Sequence, residues 1–332
     1  MDGRHIPLPS VWGQFIALDE NKADLAKFLS HSIVTYGKTL SERYELITGG
    51  GFADETDVSS SKREDVRLRG NHEEADTRLI LHSCEAISRG YKRLLVISQD
   101  TDVLLLLTHF TGAENVEVWM ISGTARNQKC YPIHLVSGKL ATTVRDNLLS
   151  FHALTGCDTT SSFSGYGKKS CWKTFCKQPF LVGGIGRDGE LAPIEQFVCQ
   201  LYGKTELKAV DQARIQLFGK AKKGLEMLPP TRDSLELHVA RANYQAKIWL
   251  QADHEQIHVS SPIDTLAWKK DCGYLCAVWT RLPPVPDGCL QLVTCGCKAK
   301  CKTARCTCFI NNLQCISACG CDAIDCCNPA GE

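Results

Sequence analysis

Two sets of residues in this 332-residue chain have the type and spacing to do chemistry. The first is a ladder of ten cysteines, Cys295, Cys297, Cys301, Cys306, Cys308, Cys315, Cys319, Cys321, Cys326 and Cys327, in a chain that has 19 in all. The second is acidic: Glu73-Glu74-Ala75-Asp76, Ser98-Gln99-Asp100-Thr101-Asp102 and Gly156-Cys157-Asp158-Thr159. Thiolates two residues apart, as in the pairs 295/297, 306/308 and 319/321, can face one metal ion or bridge two. Neighbours this close are poor disulfide partners. The apolar residues of 294–328 (Phe309, Ile310, Leu313, Ile316, Ile324) are too few for an independent core. Segments below about 40 residues usually need metal or disulfides to fold. The N-terminus, MDGRHIPLPS, lacks the charged-then-apolar pattern of a secretory signal. A reducing setting, nuclear or cytoplasmic, is therefore expected, and it favours metal over disulfides.

The stretch CGCKAKCKTARCTCFINNLQCISACGCDAIDCCN, 295–328, resembles the tesmin-type CXC domain, a small zinc- and DNA-binding module. Eight cysteines fall in the family's order, with Phe309 after the second pair and Asn328 after the last cysteine. The resemblance implies about three zinc ions held by Cys295, Cys297, Cys301, Cys306, Cys308, Cys315, Cys319, Cys321 and a ninth ligand, either Cys326 or Cys327. It also implies DNA contact. Here the gap between Cys297 and Cys301 is one residue short, the stretch from Cys321 to Cys326 is long, and Arg305 stands where the family commonly has a DNA-contacting tyrosine. The family usually carries two such repeats, and this chain has one.

The acidic residues need elements that bring them together. Asn71 and Glu74 have capping-box spacing, which predicts a helix over 72–88 closed by Gly90. Arg93–Ser98 reads as a buried strand, Thr101–Phe110 as a helix, Val116–Ile121 as a second strand and Thr142–Leu154 as a further helix. This alternation predicts an α/β fold with a mostly parallel sheet and functional residues at strand ends. Glu74, Asp76, Asp100, Asp102 and Asp158 would then converge at one edge. On a regular helix Glu73 and Asp76 share a face and Glu74 does not, so irregular backbone is required at the helix start. Gathered carboxylates repel one another, and Mg²⁺ or Mn²⁺ is the natural remedy because hard cations take oxygen ligands. Two such ions about 4 Å apart can activate water and stabilise the leaving oxygen of a phosphodiester. Taken singly, each motif also reads as an ordinary helix cap or turn.

In this order, EEAD, SQDTDVL and GCDTTSSFSGYGKKSCWKTF resemble the flap-endonuclease and PIN-like nuclease superfamily over residues 70–180. That resemblance implies a Rossmann-like three-layer domain with Glu74, Asp76, Asp100, Asp102 and Asp158 around a two-metal site, as in proteins of transposable elements. It implies further that SGYGKK, with Lys168 and Lys169, grips a DNA backbone, while Trp172 and Phe175 belong to the core. The family's fold begins with two strands that each deliver an aspartate. Before Glu73 this chain offers Phe15-Ile16-Ala17-Leu18-Asp19, which reads better as helix, so the domain looks truncated at the front. The Asp-x-Asp also resembles haloacid-dehalogenase phosphatases, but Leu104 stands where that family has Thr or Val, and GCDTTSS lacks its second acid.

The remaining sequence fixes the frame. Residues 11–36 read as a helix with apolar positions Trp12, Phe15, Ile16, Leu25, Phe28, Leu29 and Ile33, and Asp54–Gly70 as a loop. Helical patterns cover 190–225 and 233–250, and Pro283, Pro284 and Pro286 mark a stiff break. The expected division is a nuclease-like domain over 1–250, a linker over 251–290 and the cysteine module over 291–329. Net charge of +1 excludes whole-surface attraction to nucleic acid; the basic charge is local, in Lys298, Lys300, Lys302 and Arg305 and in Lys168, Lys169, Lys173 and Lys177. No apolar run approaches the roughly 18 residues of a membrane helix. DNA is thus the expected partner. A non-enzymatic, zinc-stabilised DNA-binding protein with a nuclease-like scaffold is the rival to a nuclease.

Overall fold

The computed structural model describes residues 9–52, 54, 56–63, 66–112, 115–218, 225–281, 283, 285–298, 301–316, 318–321 and 326–328. Pro284 and Lys300 lie outside the described residues. The chain divides into two units, Met1–Val136 with Gln251–His258, and Ser137–Leu250 with Val259–Glu332. The boundary therefore falls inside the stretch expected to be one domain, and eight residues of the expected linker return to the first unit.

In the first unit, α1 (Trp12–Ile16) and α2 (Asp19–Gly37) replace the single helix read over 11–36. Leu18 is extended (φ −90°, ψ 125°) and separates them. The apolar spacing did not mark a core face: Phe28, Leu29 and Ile33 are exposed, and α2 buries Ser30, Val34 and Gly37 instead. Gly51, at φ +77°, turns the chain against α2 so closely that a Cβ would sit 2.7 Å from Lys27 N. The stretch expected to be a loop contains β2 (Val58–Ser60), antiparallel to β1 (Ile47–Gly49), and a 3₁₀ turn at Val66–Leu68.

α3 (Ala75–Ser88) begins three residues later than its capping-box reading because Asn71 is engaged elsewhere. Asn71 Nδ2 donates to Ile257 O (2.9 Å) and Asn71 Oδ1 accepts from Ile257 N (2.7 Å), so the side chain pairs with 251–258 rather than with the helix. Then come β3 (Arg93–Ile97), α4 (Thr101–Phe110), β4 (Glu117–Thr124) and β5 (Asn127–Pro132). α3 packs against α4, and Val96, Val118 and Met120 are buried in the sheet while Leu95 and Ile97 of β3 are exposed.

The fold is mixed α/β with short mixed sheets, not mostly parallel. β3 and β4 pair in parallel because a helix connects them; β4 and β5 pair antiparallel because two residues do. With the hairpin β1–β2, and the hairpin of β6 (Trp268–Asp271) and β7 (Tyr274–Ala277) in the second unit, one of the four pairings among the described residues is parallel.

The second unit is mainly helical. α5 (Ile133–Lys139) carries the chain into it, followed by α6 (Thr142–Asp146), α7 (Leu148–Leu154), α8 (Lys168–Phe175), α9 (Leu191–Leu201), α10 (Val210–Phe218) and α11 (Arg232–Trp249). All seven residues of α7 are buried, and α7 packs along α11. Thr231 caps α11, its hydroxyl accepting from Ser234 N at 3.1 Å. Trp249, 2% exposed, stacks on His152 with ring centroids 5.5 Å apart. Arg241 ties the β6–β7 hairpin region to α11 by donating to Val278 O (2.6 Å). The short helices α12 (Asp287–Leu290) and α13 (Thr307–Ile310) follow. Among the described residues no helix is long and apolar enough to cross a membrane.

A chain of alternating charges holds the 45–67 segment on α3. Arg63 contacts Glu45 through both Nε (3.0 Å) and Nη2 (2.9 Å), Arg89 lies between Glu45 (3.5 Å) and Glu85 (2.8 Å), and Arg67 reaches Glu85 (3.0 Å). Burial works to raise the Glu45 pKa, but hydrogen bonds from Arg63 and Ser60 and the charges of Arg63 and Arg89 leave it lowered. A depressed carboxylate pKa contributes stability above the ordinary Glu value, near about 4.3, and loses it as pH falls through the folded value. Glu45→Gln is expected to destabilise the first unit by about 1–3 kcal/mol at pH 7. The difference from the parent should shrink below pH 4 in urea denaturation; a pH-independent difference would sever the effect from the Glu45 charge.

Candidate metal centres

Local backbone geometry brings the first acidic set together. Glu74 is the extended residue before α3 (φ −96°, ψ 142°), and Asp76 lies in the first turn. This is the irregular start that Glu74 needed to join Asp76. Asp100 caps α4, its Oδ1 accepting from Asp102 N at 2.8 Å, while its own N–H donates to Ser98 Oγ at 3.1 Å. Oxygens of Asp76, Asp100 and Asp102 lie within 4.8 Å of one another, close enough to share one cation. Glu74 stands at the margin. Partial desolvation and the charges of Asp76, Asp102, Glu73 and Asp100 push its pKa up, the response of a carboxylate gathered among others. Asp158 belongs to the second unit, where it is exposed in the turn closed by Cys157 and Thr160.

The cysteine module uses sulfur as its core. Cys295, Cys301, Cys306, Cys308 and Cys319 are buried, and Val293, Cys297, Phe309, Cys315, Cys321 and Cys326 pack on them. Cys295, Cys297, Cys301, Cys306, Cys308, Cys315, Cys319, Cys321 and Cys326 form no disulfide. Sulfur separations are 3.9 Å for 295–301, 3.8 Å for 295–315, 3.9 Å for 295–321 and 3.9 Å for 306–315. A tetrahedral ion with metal–sulfur bonds of about 2.3 Å sets neighbouring thiolates about 3.8 Å apart, so these spacings fit a zinc-type thiolate centre. Three overlapping sets could each hold an ion: 295/301/315/321, 295/297/301/306 and 295/306/308/315. Cys295 belongs to all three, and Cys301, Cys306 and Cys315 to two each, as bridging ligands would. Cys319 joins through Cys308, 3.5 Å away. Of the two residues left open as a ninth ligand, Cys326 packs on the cluster beside Cys301 and Cys315, and Cys327 is exposed.

Backbone and amide donors orient the sulfurs. Phe309 N donates to Cys306 (3.5 Å), Ile316 N to Cys319 (3.4 Å) and Asn328 Nδ2 to Cys315 (3.3 Å). Burial pushes Cys308 up to about 12, with the Cys319 thiol adding to the shift, and raises Cys295, Cys301 and Cys315 as well. For Cys306 burial acts in the same direction but is outweighed by the Phe309 N–H and the adjoining thiols, which bring it to about 7. The set cannot ionise together at neutral pH without cations to offset the charge. Metal uptake must therefore expel protons.

The basic residues divide. Lys298, Lys302 and Arg305 are exposed around the cysteine cluster. Lys169 is exposed at the start of α8, but Lys168 turns inward, donating to His152 Nδ1 (2.7 Å), His152 O (2.8 Å) and Thr155 Oγ1 (3.0 Å). These contacts match the three hydrogens of an ammonium group. Of the pair, Lys169 is the exposed one. Phe175 is buried and stacks on Phe151 (4.5 Å), and Trp172 is half-buried, as expected of core residues.

Sequence reasoning missed Gly320. Its N–H donates to Cys295 O at 2.7 Å, and a Cβ there would approach Cys297 O and Gly296 C to 3.0 Å. The signal was its place inside the third Cys-x-Cys pair. No family model matches the chain, and no curated protein or solved structure is significantly similar to it. Gly320→Ala should spread the 295–297 and 319–321 segments and weaken zinc binding about tenfold, a loss typical of disturbed supporting contacts. Competition with a chromophoric chelator checks this, and the parent's affinity should fall as pH is lowered. Parent-like affinity in Gly320→Ala would show that the two segments need not touch.

Proposed function

We propose that this is a DNA-binding protein in which the cysteine module, loaded with about three zinc ions, supplies the nucleic-acid contact. The observation that carries the reading is the set of 3.8–3.9 Å sulfur separations, ringed by exposed Lys298, Lys302 and Arg305. Nine thiolates for twelve tetrahedral positions require three to bridge, and the candidate sets share Cys295, Cys301, Cys306 and Cys315, which supports bridging. Work on DNA in a reducing compartment implies the nucleus. The loaded module should return about three zinc ions per chain by elemental analysis. With Lys300 included, its four cations would neutralise roughly four phosphates, giving a log–log salt slope near about −3.6 on duplex DNA. Replacing Lys298, Lys300, Lys302 and Arg305 with Ala in the full chain should abolish binding while zinc content is unchanged. Undiminished binding at low salt would remove this face from the interface.

The acidic group supports a second component: a divalent-cation site of a PIN-like, flap-endonuclease-like phosphodiesterase domain, impaired in cleavage. Mg²⁺ or Mn²⁺ bound there would supply a Lewis acid for phosphodiester hydrolysis. The chain's own contribution is to fix Asp76, Asp100 and Asp102 on the first turns of α3 and α4. A scaffold without catalysis is the competing reading, favoured by two facts: Asp100 already serves as a helix cap, and Asp158 sits in the other unit. Mn²⁺ should bind the parent and bind Asp100→Asn/Asp102→Asn more weakly by isothermal titration. Cleavage of flapped DNA should be weak in both. Strong Mg²⁺-dependent cleavage by the parent, lost in the double variant, would establish a working nuclease and overturn the impairment.

A further inference from the structure

The second unit holds a cavity of about 290 Å³ that neither metal centre uses. Ser161, Tyr202, Arg214, Thr231 and His238 are among the residues that line it. His238 on α11 is 9% exposed, with Phe163 edge-on to its ring at 5.5 Å. Its Nε2 lies 2.7 Å from Leu154 O, the last carbonyl of α7, which has no N–H donor within its own helix. A carbonyl oxygen only accepts, so Nε2 must carry the proton. Burial lowers the His238 pKa, and Arg241 adds to this against the opposing Leu154 hydrogen bond, which favours the neutral ring. Nδ1 then presents a lone pair, and the atom it faces is Ser161 Oγ at 3.3 Å. The hydroxyl hydrogen of Ser161 therefore points at the imidazole.

Ser161 itself is exposed at the cavity, reachable from solvent, while its base is buried and held in one tautomer. A nucleophile beside a base, with the base oriented by a third group, is the arrangement needed for covalent catalysis. We propose that Ser161 and His238 form a nucleophile–base pair that hydrolyses small carboxylic esters, with Leu154 O as the positioning group. Arg214 and Glu226 are the charged side chains among the described lining, and Arg214 donates to Pro229 O, which holds its guanidinium at the wall. The volume restricts the site to short chains.

Each step balances. Ser161 Oγ forms a bond to the carbonyl carbon while its proton passes to His238 Nδ1. The bond from that carbon to the alkoxy oxygen breaks, and the leaving oxygen takes the proton from Nδ1, giving an alcohol and an ester on Ser161. Water then attacks the same carbon and gives a proton to Nδ1. Ser161 Oγ leaves, recovers that proton, and a carboxylic acid is released. The imidazolium formed in each half-reaction keeps its Nε2–H on Leu154 O throughout.

The full chain would be treated with an alkyl fluorophosphonate and digested, and p-nitrophenyl butyrate hydrolysis would be followed separately. The pair requires a phosphonyl adduct on Ser161 and hydrolysis that falls about 100-fold or more in Ser161→Ala, an exposed position whose loss should leave the fold intact. His238→Gln should reduce both readouts, but because His238 is buried its circular dichroism is compared with the parent. If it unfolds, the decision rests on Ser161→Ala and on the pH profile of labelling, which should rise as His238 becomes neutral. Labelling of Ser161 no faster than of other serines, or ester hydrolysis unchanged in Ser161→Ala, would reduce the contact to a structural hydrogen bond and overturn the proposal.

Discussion

The controlling constraint in this protein is the cost of placing ionisable groups side by side. Five buried cysteines form the centre of a module that has little apolar material with which to fold. Sulfurs 3.8–3.9 Å apart are too far for a covalent bridge and too close to be ionised together without a cation. The geometry becomes stable chemistry only when positive charge enters. A metal bound there would couple folding of the module to its uptake, and the donors from Phe309, Ile316 and Asn328 already orient the sulfurs.

The same constraint operates more weakly in the first unit. Asp76 and Asp102 sit in the first turns of their helices, where backbone N–H groups and the helix dipole already favour negative charge. Asp100 places one oxygen on the Asp102 N–H. These contacts offset part of the repulsion and explain how three carboxylates can stand within 4.8 Å of one another on helix ends. The raised Glu74 shows that the offset is incomplete. Elsewhere in the unit, opposite charges alternate from Arg63 through Glu45, Arg89 and Glu85 to Arg67, and the repulsion disappears.

In the second unit apolar packing replaces charge as the organising term. α7 is buried along its whole length, so its terminal carbonyl at Leu154 cannot turn to water and is satisfied by His238 instead. Lys168 meets the preceding part of the same helix end through His152 and Thr155. The burial that fixes these two side chains also settles what they can do: His238 keeps a lone pair toward Ser161, and Lys168 is withdrawn from solvent.

Much of this was legible in the sequence. The cysteine spacing announced a thiolate cluster, since residues two apart cannot avoid one another; both ends of α4 followed from local pattern, and β3 and α11 fell within one residue of it. Local signals failed where a distant partner competed for the same group. Asn71 left its capping box for Ile257, 186 positions away, and the start of α3 moved. Phe28, Leu29 and Ile33 had helical spacing but no surface to cover them, so they are exposed. The mostly parallel sheet expected from helix–strand alternation gave way at β4–β5, where the connection was too short to cross over. The sequence by itself determined which side chains could bind metal, because ligand type and near-neighbour spacing are covalent properties. Only the tertiary structure decided that Asp158 and the Asp76 group belong to different units, that Cys326 rather than Cys327 faces the sulfurs, and that Ser161 meets His238, because these depend on contacts between segments far apart along the chain.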